Sequence, residues 1–226
     1  KLFGIKPVAL DISKTESIDN VVGQILKETG SIDILINNAG SGFYGSLEDV
    51  PMADARSLME VNLFGVARLT QLVLPNMRQN KYGKIVNISS VGGKIGLPLG
   101  VWYHASKFAI EGLSDALRNE VRQFGIDVIV IEPGGTKSEM TGIGTEYVLQ
   151  VSEGTVYKKQ AESIVKMYNA MKGSEPMVIA KLIKKGIEAR NPKTRYIGGE
   201  MAKPMLFMRK VLSDKWFDKL LMSQMK

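Results

Sequence analysis

Four short apolar runs, each closed by residues that a strand interior would not choose, constrain this chain more than any other feature. Val8-Ala9-Leu10 ends at Asp11, and residues 32–36 end in Asn37-Asn38-Ala39-Gly40. Residues 84–88 end in Ser89-Ser90, and residues 127–131 run into Glu132-Pro133-Gly134-Gly135. Runs that are largely apolar rather than alternating suit strands covered on both faces. Between them lie stretches at helical spacing. Residues 15–27 carry Ile18, Val21, Val22, Ile25 and Leu26 and stop at Gly30, with Ser13 or Thr15 offering a cap. Residues 52–79 form a long helix that Pro75 should bend or end, and residues 102–123 form another, ending at Gly125. This order predicts an α/β, doubly wound parallel sheet. Ligands bind such sheets beyond the carboxyl ends of the strands. Asp11, residues 37–40, Ser90 and Pro133-Gly134 all fall on that one edge.

The totals set outer limits. The 226 residues suffice for one domain with a sizeable core, and 44% hydrophobic with 23% charged residues is ordinary for a globular chain. With no cysteine and one histidine, disulfides and cysteine-ligated metals are excluded, and a His-based zinc site or Ser-His-Asp triad is disfavoured. No apolar run is long enough for a membrane span. The net charge of +7 is spread along the chain, with mild thickening at residues 181–185 and 203–219. No basic run is interleaved with stacking aromatics, so a nucleic-acid partner is not expected.

After Gly135 the periodicity loosens. Residues 136–151 hold two glycines and little periodicity and are expected to form a mobile loop. Helices are expected over 152–172 and 175–190, a last strand over 194–197, and an amphipathic tail over 201–226. That tail should cap the core, although a partner or a membrane surface is the alternative. The region 136–175 is the expected substrate segment of a single domain spanning 1–226.

The candidate chemistry sits in residues 86–107, VNISSVGGKIGLPLGVWYHASK. Tyr103 and Lys107 are four apart, so a helix puts them on one face. A neighbouring ammonium favours phenolate and should pull the tyrosine pKa down. Ser90, at a strand end, could hydrogen-bond the same substrate oxygen. The spacing alone proves little, because Tyr168 and Lys172 repeat it. Nothing upstream of that second pair resembles a strand, serine and glycine loop, so it is expected to be an ordinary exposed pair.

In its setting the first pair resembles the short-chain dehydrogenase/reductase family, nearest its steroid and retinol dehydrogenase members. The resemblance implies a Rossmann-type fold and hydride transfer between NAD or NADP and a carbonyl or secondary alcohol, with a hint of a lipophilic substrate. Ser90, Tyr103 and Lys107 would be its serine, tyrosine and lysine, with Tyr103 as acid or base and Lys107 also holding ribose hydroxyls. Asn62 would hold a water leading to Lys107, against the alternative of a core asparagine satisfied by backbone. Asn37-Asn38-Ala39-Gly40 looks like the family's NNAG signature, with Asn38, Ala39 and Gly40 near the cofactor. Asp11 would bond the adenine, or else cap the following helix. Pro133 and Gly134 resemble the turn against the nicotinamide. Ser138 stands where the family has a carboxamide-binding threonine, with Thr136 two residues before it. His104 is read as incidental, and Trp102 and Tyr44 as pocket walls.

The family's glycine-rich Thr-Gly-x-x-x-Gly-x-Gly run does not occur in these residues. The chain starts near the family's third strand, and Lys1 is not a natural start, so a preceding βαβ unit is expected. The resemblance also implies a homodimer or homotetramer and a cytoplasmic location. The rival class is a dinucleotide-binding sensor or scaffold without turnover.

Overall fold

The computed structural model describes residues 4–223; the expectations for residues 1–3 and for the last three residues of the tail lie outside them. Helix α1 (Thr15–Thr29) precedes strand β1 (Ile34–Asn37). A continuous helical segment follows, made of α2 (Met52–Met59), a π-helical turn (Glu60–Phe64) and α3 (Gly65–Asn80). Strand β2 (Gly83–Ile88) leads to α4 (Val101–Val121), and β3 (Ile126–Pro133) leads to α5 (Glu139–Val151), α6 (Lys158–Ala170) and α7 (Pro176–Glu188). The described chain closes with β4 (Arg195–Gly198), α8 (Ala202–Val211) and α9 (Asp214–Ser223).

The four strands are parallel and ordered β1-β2-β3-β4, so all their carboxyl ends lie on one edge. Alternation along β2 and β3 divides the core. Ile85, Ile126 and Val128 pack under α1, α3 and α4 with Ile18, Leu69, Val73, Met77 and Leu117. Val86, Ile129 and Ile131 face α7 through Ile179, Leu182 and Ile183. Both faces are therefore covered over the sheet's middle, as the apolar runs required. On β1, Ile34 and Ile36 remain exposed.

Several expectations need correction. Val8-Ala9-Leu10 forms no strand, and Leu10 is exposed, because no ladder partner flanks β1 on that side among the described residues. Neither Ser13 nor Thr15 caps α1: the N-cap is Lys14, without a side-chain bond, while Gly30 closes the helix at φ 77°. Pro75 neither ends nor breaks α3. It lies on the exposed face, as does Gln71 four residues back, so the carbonyl that loses its partner faces water. The expected loop at 136–151 is largely helix α5. Gly144 serves packing there, seating against the Tyr44 ring where a Cβ would stand 3.2 Å away. Among the described residues no helix is long and apolar enough to cross a membrane.

Candidate active site

Strand β2 delivers Ser90 to the sheet edge in extended conformation, where it caps a short 3-10 turn (Val91–Gly93) by accepting the Gly92 N–H at 3.0 Å. The Ser90 hydroxyl lies 3.5 Å from the Pro133 carbonyl, so the ends of β2 and β3 meet there. Helix α4 begins eleven residues after Ser90 and presents Tyr103 and Lys107 side by side, both buried. The Ser90 hydroxyl stands near enough to the Tyr103 phenol to favour its ionised form. Burial pushes the Tyr103 pKa up, and the Ser90 hydroxyl offsets only part of that. The expected lowering by Lys107 is not found. Its Nζ sits 5.9 Å from the tyrosine ring centroid and donates to the Ile88 carbonyl at 3.0 Å. Desolvation pushes Lys107 itself down to about 8.

Lys107 is nonetheless built to take a ligand. An ammonium has three donors, and among the described residues its recorded hydrogen bond is the one to Ile88. It stands against the loop after β1: a Cβ on Gly40 would lie 3.7 Å from Nζ and 3.5 Å from Asn62 Oδ1. Asn38, Ala39 and Gly40 are exposed there, next to a buried cation with two N–H groups unspent. That arrangement fits the vicinal hydroxyls of a dinucleotide ribose.

Asn62 lies buried in the π-helical turn, bonded both to backbone and to a side chain. Its Nδ2 donates to the Ser41 carbonyl at 2.8 Å and to Ser106 Oγ at 2.9 Å, and its Oδ1 accepts the Ser41 N–H at 2.8 Å. Both amide hydrogens are spent, so the side chain pins the loop after β1 to α4 rather than donating to a water. Asp11 is also engaged locally, accepting from the Ser13 N–H and hydroxyl and pairing with Lys14. These contacts hold its pKa down, and they shape the turn before α1 without capping the helix.

Gly134 is required where it stands, since any Cβ would collide with the Glu200 carbonyl. Thr136 Oγ1 donates to the Gly134 carbonyl at 3.1 Å, while exposed Ser138 precedes α5 and makes no side-chain capping bond. Met140 and Gly42 close over Tyr103: a Cβ on Gly42 would stand 3.2 Å from the tyrosine ring and 2.9 Å from the Met140 sulfur.

The structure also reveals positions that spacing did not single out. Tyr44 packs between Tyr103 and Tyr168, with ring centroids 5.9 and 4.9 Å apart. Tyr168 is thus no ordinary exposed residue, and burial pushes it up to about 12. Beneath the edge, Asn37 Nδ2 donates to Asn87 Oδ1 at 2.8 Å and Asn87 Nδ2 to Ser114 Oγ at 2.9 Å, a buried polar ladder joining β1, β2 and α4. An asparagine inside an apolar strand must find partners, and Asn87 carried that signal. His104 has a fixed place too, its Nδ1 lying 2.9 Å from the Gly92 carbonyl and steadying the turn after Ser90.

Comparison with known proteins agrees with this geometry. Residues 3–147 match the short chain dehydrogenase family model. A probable short-chain type dehydrogenase/reductase from Helicobacter pylori is 31% identical over 94% of this chain and 79% of its own length. A 3-ketodihydrosphingosine reductase from Bacteroides thetaiotaomicron is 41% identical over 63% of this chain, and the match spans 56% of that protein. A metagenomic short-chain oxidoreductase solved in complex with NADP superposes with a TM-score of 0.56 at 31% identity, covering 65% of this chain and 67% of that one. The chain belongs to the short-chain dehydrogenase/reductase family.

Proposed function

We propose that the protein is an NAD(P)-dependent oxidoreductase that interconverts a lipophilic ketone and the corresponding secondary alcohol. The carrying observation is the convergence of Ser90, Tyr103 and Lys107 at the edge where β2 and β3 end. A nicotinamide dinucleotide, when bound, supplies or accepts the hydride. Lys107 holds the ribose through its two unspent N–H groups, beside Asn38, Ala39 and Gly40. Pro133, Gly134, Thr136 and Ser138 form the turn that orients the ring. Tyr103 gives its proton to the carbonyl oxygen in reduction and takes it back in oxidation. Ser90 donates a hydrogen bond to the substrate oxygen as charge grows there. Asn62 positions the loop beside Lys107, and Asp11 shapes the turn before α1.

The apolar cluster of Tyr44, Leu99, Met140 and Val148 around Tyr103 supports a lipophilic substrate, in keeping with the 3-ketodihydrosphingosine in the name of the Bacteroides relative. The test is consumption of NADPH and NADH by the purified chain across a panel of long-chain 3-keto and cyclic ketones, with short polar ketones beside them. Turnover with the long or cyclic ketones, lost in Tyr103→Phe, is the expected result. Nucleotide binding without turnover on any member would instead identify a dinucleotide sensor.

A further inference from the structure

The pair α8 and α9 has two faces with different work. Its inner face supplies Met205, Met208, Leu212, Phe217 and Leu221, which pack on Val91, Ile95 and Leu97. These belong to the loop that starts one residue after Ser90. The outer face is unpartnered among the described residues: Phe207 is 66% exposed, Val211 58% and Trp216 64%. Pro204, Phe207 and Val211 fall at i, i+3 and i+7, one stripe along α8. A stable water-facing surface seldom spends two large aromatics and a valine within ten residues.

The charges around that face choose its partner. Lys203, Lys210, Lys215 and Lys219 are all exposed, and Lys219 Nζ lies over the Trp216 ring at 4.9 Å. Of the two acids in α9, Asp214 is paired with Arg209 at 2.8 Å, which leaves Asp218. An apolar stripe with a collar of lysines and an aromatic at its margin matches the boundary of an anionic lipid layer, where rings sit at headgroup depth and ammonium groups meet phosphates. We propose that the outer face of α8 and α9 docks on an anionic membrane surface, which places the loop after Ser90 beside the bilayer. This docking does not depend on the reaction assigned above.

Co-sedimentation of the full chain with vesicles tests it, using phosphatidylcholine alone against phosphatidylcholine mixed with phosphatidylglycerol. Binding is expected on the mixed vesicles, weakened by salt and by about fivefold for each of the four lysines changed to glutamine. The double variant Phe207→Ser/Trp216→Ser should lose at least about tenfold in binding while keeping the melting temperature. In a Trp102→Phe background, brominated lipid should quench the remaining Trp216. Absence of binding by the folded chain overturns the proposal, as does equal binding by the double variant. A concentration-dependent dimer that the double variant abolishes, with no vesicle binding, also overturns it and assigns the face to a second copy of the chain.

Discussion

Two tyrosine–lysine pairs of identical spacing meet opposite fates in this molecule. Tyr103 and Lys107 lie in the first two turns of α4, both buried, against a loop from β1 and a serine from β2. Tyr168 lies near the end of α6, and Lys172 falls beyond it on exposed chain, so the second pair is not on a common helix face at all. Tyr168 turns instead to Tyr44. Spacing is thus only permission. What makes the first pair chemical is that three strand ends converge on it, while the second is met by another aromatic ring.

The sharpest way to break this comparison is to remove one oxygen from each tyrosine. Tyr103→Phe should lower kcat by about a thousandfold or more, the upper range for a lost general acid, with dinucleotide affinity unchanged by fluorescence titration. Tyr168→Phe should leave kcat within about threefold and, since the ring contact with Tyr44 is kept, cost no more than about 1 kcal/mol in urea unfolding. Comparable kcat losses in both variants would mean that the second tyrosine also touches the reacting atoms. The pH profile should follow from the raised pKa of Tyr103. Alcohol oxidation needs its phenolate, so kcat/KM in that direction should climb through the alkaline range, while ketone reduction, which needs the phenol, should be flat near neutrality and fall at high pH.

The lysines give the next effect. Lys107→Met should cost about a hundredfold in kcat/KM with weakened dinucleotide binding, whereas Lys172→Met should change neither. Stability should move the other way. Burial lowers the folded pKa of Lys107 to about 8, below its ordinary 10.5. Between those values the unfolded chain binds more protons, so the native protein gains stability as pH rises from about 8 to 10.5. Lys107→Met should remove that slope and melt higher at pH 7. A slope that survives the substitution would relocate the linkage to another group.

How much of this was visible in the sequence depended on where the information is stored. Strands β1, β2, β3 and β4 were legible because apolar runs closed by Asn37, Ser90, Pro133 and Gly198 are local signals. Lys107 was legible by spacing plus context. The Val8–Leu10 segment misled because a strand exists only with a ladder partner, which no single run discloses. Helix α5 was hidden by Gly142 and Gly144, which read as breakers, although Gly144 is there to seat Tyr44. The placement of Tyr168 and the engagement of the Asn62 amide are tertiary facts with no period. The elevated pKa of Tyr103 shows the same limit: the neighbouring cation was readable, but the desolvation that outweighs it was not.

The smallest expected effect tests what lies beneath the first pair. Glu111 is one further turn along α4 from Lys107, and it meets Lys94 at 2.8 Å and Arg195 at 2.8 Å. Glu132, just before Pro133 and Gly134, is 2% exposed and has Arg195 Nε 3.1 Å from Oε1. That contact is an ion pair without hydrogen-bond alignment, since the same oxygen has no hydrogen-bond partner among the described residues. Burial first, and then the Glu111 charge, raise Glu132 to about 7 from its ordinary 4.5. The folded protein therefore holds a proton between those values that the unfolded chain releases, and its stability falls as pH climbs from about 4.5 through 7. Glu132→Gln, neutral throughout, should flatten that decline and recover on the order of 1 to 2 kcal/mol at pH 8 relative to pH 5. Urea unfolding at the two pH values decides it. An undiminished decline would mean that Arg195 and Lys94 already hold Glu132 ionised, so that the support beneath Pro133 and Gly134 is a fully charged network rather than one that changes charge near neutrality.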